Sequence, residues 1–443
     1  MANAFSKEEK VAFDQLLEGF NDALVMSRNV NVYNYNQTDA ARTTAMPGSP
    51  IPPVGGGTNF GTVWRPQPYI MTSATTSPGT PITFTDKTQL TVPASITTVK
   101  TSAWAMNSAE LRDALQEGRL AAGANQKLAS DINVALMQAA SGLGSLVVTT
   151  GTPAGSFDDI ALCDTLMNET GVMGDNRYLS LSSRSYNGLA GNVVGSTRSF
   201  GQNNRSDKAF ERAYVGMVSS FETYKQDYAL RKTAYAGGAL TVNTLDAGGN
   251  VNYVPRATNT SIAGVLNVDN RFQTITLSSN VGVAAGDAFT IQGIEAVHLI
   301  TKQPTGQPKT FRVVSVGAAN TVVITPPIIS ADSAPTEAEL QYKNCERAGV
   351  GLAAATITFL NTATADLNCF WHKSAIEILP GRLAIPENAG VGVMRATTDQ
   401  GIEVVMQKQF NIASSLTEYR LDVLFGTAVL NTEMCGILLF DQP

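Results

Sequence analysis

The chain has 443 residues, more than a single hydrophobic core usually serves, so two or three domains are expected, and one of them can sit inserted within another. Hydrophobic residues make up 43% and charged residues only 15%, below the ~25% of typical soluble domains; this suits a protein that hides surface against copies of itself, and equally a low-charge secreted one. A net charge of -6 gives phosphate backbones no general attraction, which argues against sequence-specific binding of nucleic acid.

The opening MANAFSKEEKVAFDQLLEGF carries acidic residues where a signal peptide has its apolar run, and no later segment approaches ~18 uninterrupted apolar residues. Secretion and membrane insertion are therefore not expected. Within 7–27, Val11, Leu16, Phe20 and Leu24, with Phe13 and Leu17, recur near helical spacing and predict an amphipathic helix interrupted at Gly19. The Asn-, Pro- and Gly-rich stretch that follows reads as an extended arm that needs outside contacts for its order, and residues 1–50 together are expected as the N-terminal arm.

Residues 51–106 read as a projecting hairpin with flanking strands. TVWRPQPYIMT and ITFTDKTQLTVPASITTVKT flank a turn-rich tip at Thr76, Ser77, Pro78 and Gly79. A two-stranded ribbon has little core of its own, which makes docking on a neighbour its source of order. Asn107 and Glu110 make a capping pair for a long helix over 107–142, with a stripe at Leu111, Leu115, Ala121, Ala124, Leu128, Ile132, Ala135 and Ala139. Residues 143–239 read as α+β, with a strand at SLVVTT, a helix from Phe157 ended by Gly171, and a helix over 206–218.

Between 240 and 339 short β-rich runs alternate with Gly, Asn and Asp turns, the pattern of an inserted β-barrel-like domain, with 243–267 as its protruding loop. Residues 340–443 return to mixed character, and their strands complete a sheet begun before the insert. The fold class expected is α+β.

Candidate chemistry is sparse. His298 reads as a strand residue and His372 as a core residue with a local polar contact; Cys369 lies three positions before His372, but no second ligand pair stands nearby. Cys163, Cys345, Cys369 and Cys435 read as buried, reduced thiols. No G-x-S-x-G, H-E-x-x-H or G-x-x-x-x-G-K-[ST] string occurs, and Asp39, Asp86, Asp113, Glu117 and Asp131 form no pair. Neither an enzyme nor a cofactor nor a metal is expected.

The run NVDNRFQTITLSSNVGVAAGDAFTIQGIEAVHLITKQPTGQPKTFRVVSVGAANTVVITP, with NCFWHKSAIEILP after it, resembles the major capsid proteins of P22-type tailed bacteriophages, most strongly over 267–380. That resemblance implies an HK97-like capsid fold: an arm, an E-loop hairpin at about 62–95, a spine helix, peripheral and axial domains and the inserted domain. It implies a T=7 icosahedral shell of hexamers and pentamers around double-stranded DNA, in the virion after assembly in the host cytoplasm, with scaffolding and portal proteins as partners and no membrane. A loop of the inserted domain would cross between capsomers, with Asp246 and Arg256 its charged candidates. The alternative expectation is a structural tube or surface-layer subunit.

Overall fold

The computed structural model describes residues 7–33, 62–67, 79, 87–96, 98–107, 110, 114–197, 215–226, 230–243, 252–261, 264–332, 335–347, 354–383, 385 and 390–442. The chain divides into two units, one made of Met1–Trp64, Pro93–Met137 and Glu377–Ala428, the other of Arg65–Val92, Gln138–Ile376 and Val429–Pro443.

In the first unit, strand Leu416–Val429 is the spine of a six-stranded sheet. Its first half alternates between exposed Glu418 and Arg420 and buried Thr417, Tyr419 and Leu421, and its second half is almost continuously buried. This is how a strand reads when it passes from a half-solvated face into a core. Glu403–Asn411 and then Gly392–Thr397 pair outward on one side, and Thr98–Asn107 and Ile376–Pro380 pair with the spine as well. The N-terminal helix runs through Gly19 as α1 (Lys7–Ala23), breaks at Leu24, and continues as α2 (Val25–Arg28). The break falls there because Asn133 serves both sides of it: its Nδ2 donates to Ala23 O at 3.0 Å and its Oδ1 accepts the Met26 amide at 3.3 Å. Phe13, Phe20 and Leu24 are buried, and Asn31–Val32 adds to the sheet in parallel beside Glu377 and Ile378. The stretch expected to need a neighbour for its order is described only as far as Tyr33; residues 34–50 lie outside the described residues.

Asn107 and Glu110 exchange backbone and side-chain hydrogen bonds at 2.9 and 3.0 Å as a capping pair should, and α3 follows over Ala114–Leu143. Its buried apolar positions Ala124, Leu128, Ala129, Ile132, Leu136, Met137 and Ala140 follow helical spacing, so the stripe continues through Leu136 and Ala140 rather than through Ala135 and Ala139.

In the second unit a mixed six-stranded sheet orders Leu146–Thr149, Cys435–Leu439, Asn368–His372, Arg177–Leu181, Phe221–Lys225 and Met217–Val218. Helix α4 (Phe157–Glu169) starts at a reciprocal Ser156–Asp159 capping box and ends at Gly171, whose φ of +82° is left-handed backbone that glycine adopts cheaply. With α5 (Ser183–Thr197) it belongs to a core of Ile160, Cys163, Met167, Leu189, Phe221 and Phe370. The helix expected over 206–218 is corrected at its end: Met217–Val218 is an edge strand paired to Phe221 and Glu222, and 206–214 lie outside the described residues.

The β-rich segment forms a second sheet in this unit. Leu240–Thr241, Thr356–Phe359, Ala288–Val297, Pro304–Val316, Thr321–Thr325 and Gln273–Thr276 follow one another, and Cys345–Arg347 joins Ala288–Val297. First and last strands meet through the Val242–Leu277 bridge and the Asn243 and Ser278 amides, so the sheet closes on itself around Phe289, Phe311, Ile275 and Ile324. The boundary expected at 339 falls inside this sheet, because strand Thr356–Phe359 returns between Leu240–Thr241 and Ala288–Val297. Where the chain enters and leaves, Arg231–Lys232 pairs with Ala365–Asp366, fastened by an Arg231–Asp366 contact of 2.7 Å. Helix α6 (Glu337–Tyr342) packs beside it in the same unit.

Candidate assembly surface

The residues most able to do chemistry are tied into local structural contacts. His298 stands just past its strand and opens a turn, its Nδ1 accepting the Thr301 amide at 3.2 Å and its ring filling the space a Cβ on Gly171 would need. His372 is buried and its Nδ1 accepts the Ser374 amide. Burial first, and the Arg177 cation in addition, push its pKa below the ordinary histidine value, partly opposed by Asp175. All four cysteines are free and buried; burial pushes Cys345 and Cys369 up to about 12 and Cys163 and Cys435 higher still, so none carries a thiolate at neutral pH. Among the described residues, no group of three His, Cys, Asp or Glu is placed to hold a metal ion.

The surface offers projecting and apolar features instead. Of the expected protruding loop, residues 252–267 fold as two legs and a ribbon in which Thr258–Ser261 pairs antiparallel with Gly264–Asn267. Asn270, buried among them, clamps the legs: its Oδ1 accepts the Arg256 amide and the Tyr253 hydroxyl, and its Nδ2 donates to Arg256 O and Val268 O. The Arg256 side chain stands exposed at this base, as do Thr258, Asn259 and Thr260 along the ribbon, while Asp246 lies outside the described residues. At the hairpin tip Gly79 is exposed, with φ +87° and nothing within 4 Å of where a Cβ would stand; Thr76, Ser77 and Pro78 lie outside the described residues. Of the six, the structure describes Arg256 and Gly79, and both are exposed.

Sequence reasoning passed over two further features, both in the first unit. A groove of about 520 Å³ is lined by Trp104, Val391, Gln407, Lys408, Tyr419 and Arg420. Trp104 and Tyr419 stack at 5.5 Å, Lys408 sits 5.6 Å above the Tyr419 ring, and Glu9 of α1 accepts from Lys408 at 2.5 Å and from the Tyr419 hydroxyl at 3.3 Å. At the turn joining Glu403–Asn411 to Leu416–Val429, Ile412 is 86% exposed and Phe410 41% exposed. The legible signal for that tip was an isoleucine within NIASS, where a turn ordinarily holds polar residues.

Comparison with known proteins gives one family and several capsids. A family model described as the P22 coat protein, gene protein 5, matches residues 1–441. Among solved structures, the capsid of the cyanophage P-SCSP1u is similar at 12% identity over 88% of this chain and 85% of that one, with a TM-score of 0.41. Mycobacterium phage Che8 is similar at 8% identity over 94% and 90%, with a TM-score of 0.43. The I-domain of the CUS-3 coat protein is 39% identical over 28% of this chain and 98% of its own length, with a TM-score of 0.21.

Proposed function

Since the chain belongs to the P22 coat protein family, and so forms a phage shell rather than catalysing a reaction, we propose that it closes into an icosahedral capsid around a double-stranded DNA genome. The observation that carries this reading is the family match over 1–441, nearly the whole length. In this reading the fold is HK97-like: α3 is the spine helix, the 62–95 hairpin the E-loop, the sheet around Leu416–Val429 the peripheral domain, the six-stranded sheet of the second unit the axial domain, and the closed sheet the inserted domain. Subunits gather as hexamers and pentamers in a T=7 lattice. Scaffolding and portal proteins take part in assembly in the host cytoplasm. Repeated heterologous contacts close such a lattice, and contacts weak individually become stable together.

The physical support is a set of exposed features: Arg256 and Thr258, Asn259 and Thr260 on the ribbon, Gly79, and the apolar tip at Ile412. Arg256 is proposed to reach an acidic group across a capsomer boundary, with Asp246 as its candidate partner on a neighbouring copy. The hairpin is proposed as the main clamp within a capsomer, with Thr76, Ser77, Pro78 and Gly79 at its contact. Electron microscopy of the full chain assembled with its scaffold tests both. Closed shells are expected from the native chain and few or none from a variant trimmed between Thr76 and Gly79. Tubes or flat sheets from the native chain would overturn the shell reading, and normal shells from the trimmed one would remove the tip's role.

A further inference from the structure

Residues 87–91, at the base of the expected 62–95 hairpin, and Asn252, on the first leg of the ribbon, lie in the same unit, are far apart in sequence and both contact one six-residue helix, α6. At its start, Thr336 and Glu339 form a capping box in which Glu339 Oε2 accepts the Thr336 amide at 2.7 Å. The other oxygen of the same carboxylate accepts Asn252 Nδ2 at 2.6 Å, and Asn252 Oδ1 in turn accepts the Ser330 amide and hydroxyl. Glu339 is only 4% exposed, so a single buried carboxylate both starts α6 and holds the first leg of the ribbon.

Other residues of α6 hold the base of the hairpin. The Tyr342 hydroxyl donates to Thr88 O at 3.2 Å and accepts the Leu90 amide at 3.1 Å, taking the place of a neighbouring strand for those two backbone groups. Gln341 Oε1 accepts the Thr88 amide at 3.4 Å, and Lys87 pairs with Glu337 at 3.8 Å. A second, direct link closes the loop: Thr91 bridges Asp269, two residues past the ribbon, and Asp269 is gripped by Arg271, whose Nη1 donates to Val429 O.

We propose that α6 is a brace that couples the two projections, so that loosening the base of one loosens the base of the other. The physical reason is that the main links run from backbone through a carboxylate only 4% exposed and a short helix to backbone, with the more exposed Lys87–Glu337 pair beside them. The consequence rests on the coat-protein reading. If the hairpin grips a neighbour within a capsomer and the ribbon grips one across a boundary, the brace makes the geometry of each contact depend on the other.

The test is hydrogen exchange on the full-length subunit carrying Asn252→Ala or Tyr342→Phe. Asn252→Ala removes the hydrogen bonds to Glu339 and Ser330 and Tyr342→Phe those to Thr88 and Leu90, so each acts directly on the base of one projection only. The brace predicts roughly two- to tenfold faster exchange at the far end as well, at the Leu90 amide in Asn252→Ala and at the Tyr253 and Arg256 amides in Tyr342→Phe. Amides in strand Arg177–Leu181 serve as the control for intact folding and stay unchanged. Should Tyr342→Phe fail that control, Lys87→Ala replaces it as a milder change at the hairpin base, with the far-end effect again expected at the Tyr253 and Arg256 amides. Effects confined to the near end in every folded variant would overturn the brace. Shell formation by the native chain is scored separately by microscopy, so a failed coat reading and a failed brace give different results.

Discussion

Arg177 and Arg312 take a guanidinium into the interior by opposite means. Arg177 is matched by Asp164 and surrounded by Asn168, Ser220 and the Val172 and Met173 carbonyls, so its charge is paired and its donors are occupied. Arg312 has no carboxylate in hydrogen-bond reach among the described residues; it donates to Gly286 O, Gly144 O and Ser141 O, the last in the final turn of α3, and burial lowers its pKa to about 10. A cation there meets the negative end of the helix dipole and the last unpaired carbonyls, which offsets part of the desolvation. His372 gives the residue-scale prediction. Its folded pKa is depressed by burial, so the neutral ring is favoured in the fold, and its contribution is fully present above the unfolded value of ~6.5 and lost as pH falls through the folded value. Urea midpoints between pH 7.5 and 5.5 should fall for the native chain. They should fall less for His372→Asn, whose Oδ1 can still accept the Ser374 amide.

At the scale of elements, Asn133 decides where the N-terminal helix breaks. One amide side chain on α3 satisfies the Ala23 carbonyl and the Met26 amide, the groups a break would otherwise leave open. Asn133→Ala should cost about 1–2 kcal/mol, read as a lower unfolding midpoint together with faster exchange at the Met26 amide. Alanine is the better helix former, so α3 itself is not weakened and the loss reports the lost fastening. An unchanged Met26 amide would show that the break is held by Phe20 and Leu24 packing instead. The helices legible in advance were those whose signals are local: the Asn107–Glu110 pair, the Phe157 start, the Gly171 stop. Gly19 misled because glycine weakens a helix by only ~1 kcal/mol, less than tertiary contacts supply.

At the scale of the molecule, assembly draws on surface that folding leaves uncovered. Ile412 is more exposed than any other large apolar side chain described, at the end of a hairpin whose strands are otherwise well packed. Ile412→Asp should leave the subunit's stability within ~0.5 kcal/mol, as surface changes do, and reduce the yield of closed shells, measured by sedimentation against the native chain. Equal yields would place this tip outside the subunit contacts. The sequence by itself determined what repeats over a few residues: the long helix, the alternating strands after 392, the β-rich character from 240 onward, and the strings that resemble phage coat proteins. Only the tertiary structure decided that the β-rich strands close through Val242 and Leu277, that Thr356–Phe359 joins them, and that Glu339 reaches Asn252 and Tyr342 reaches Thr88. Periodicity is written along the chain by the geometry of helix and strand, whereas these partners lie from 35 to more than 250 positions apart, and nothing local in either residue names the other.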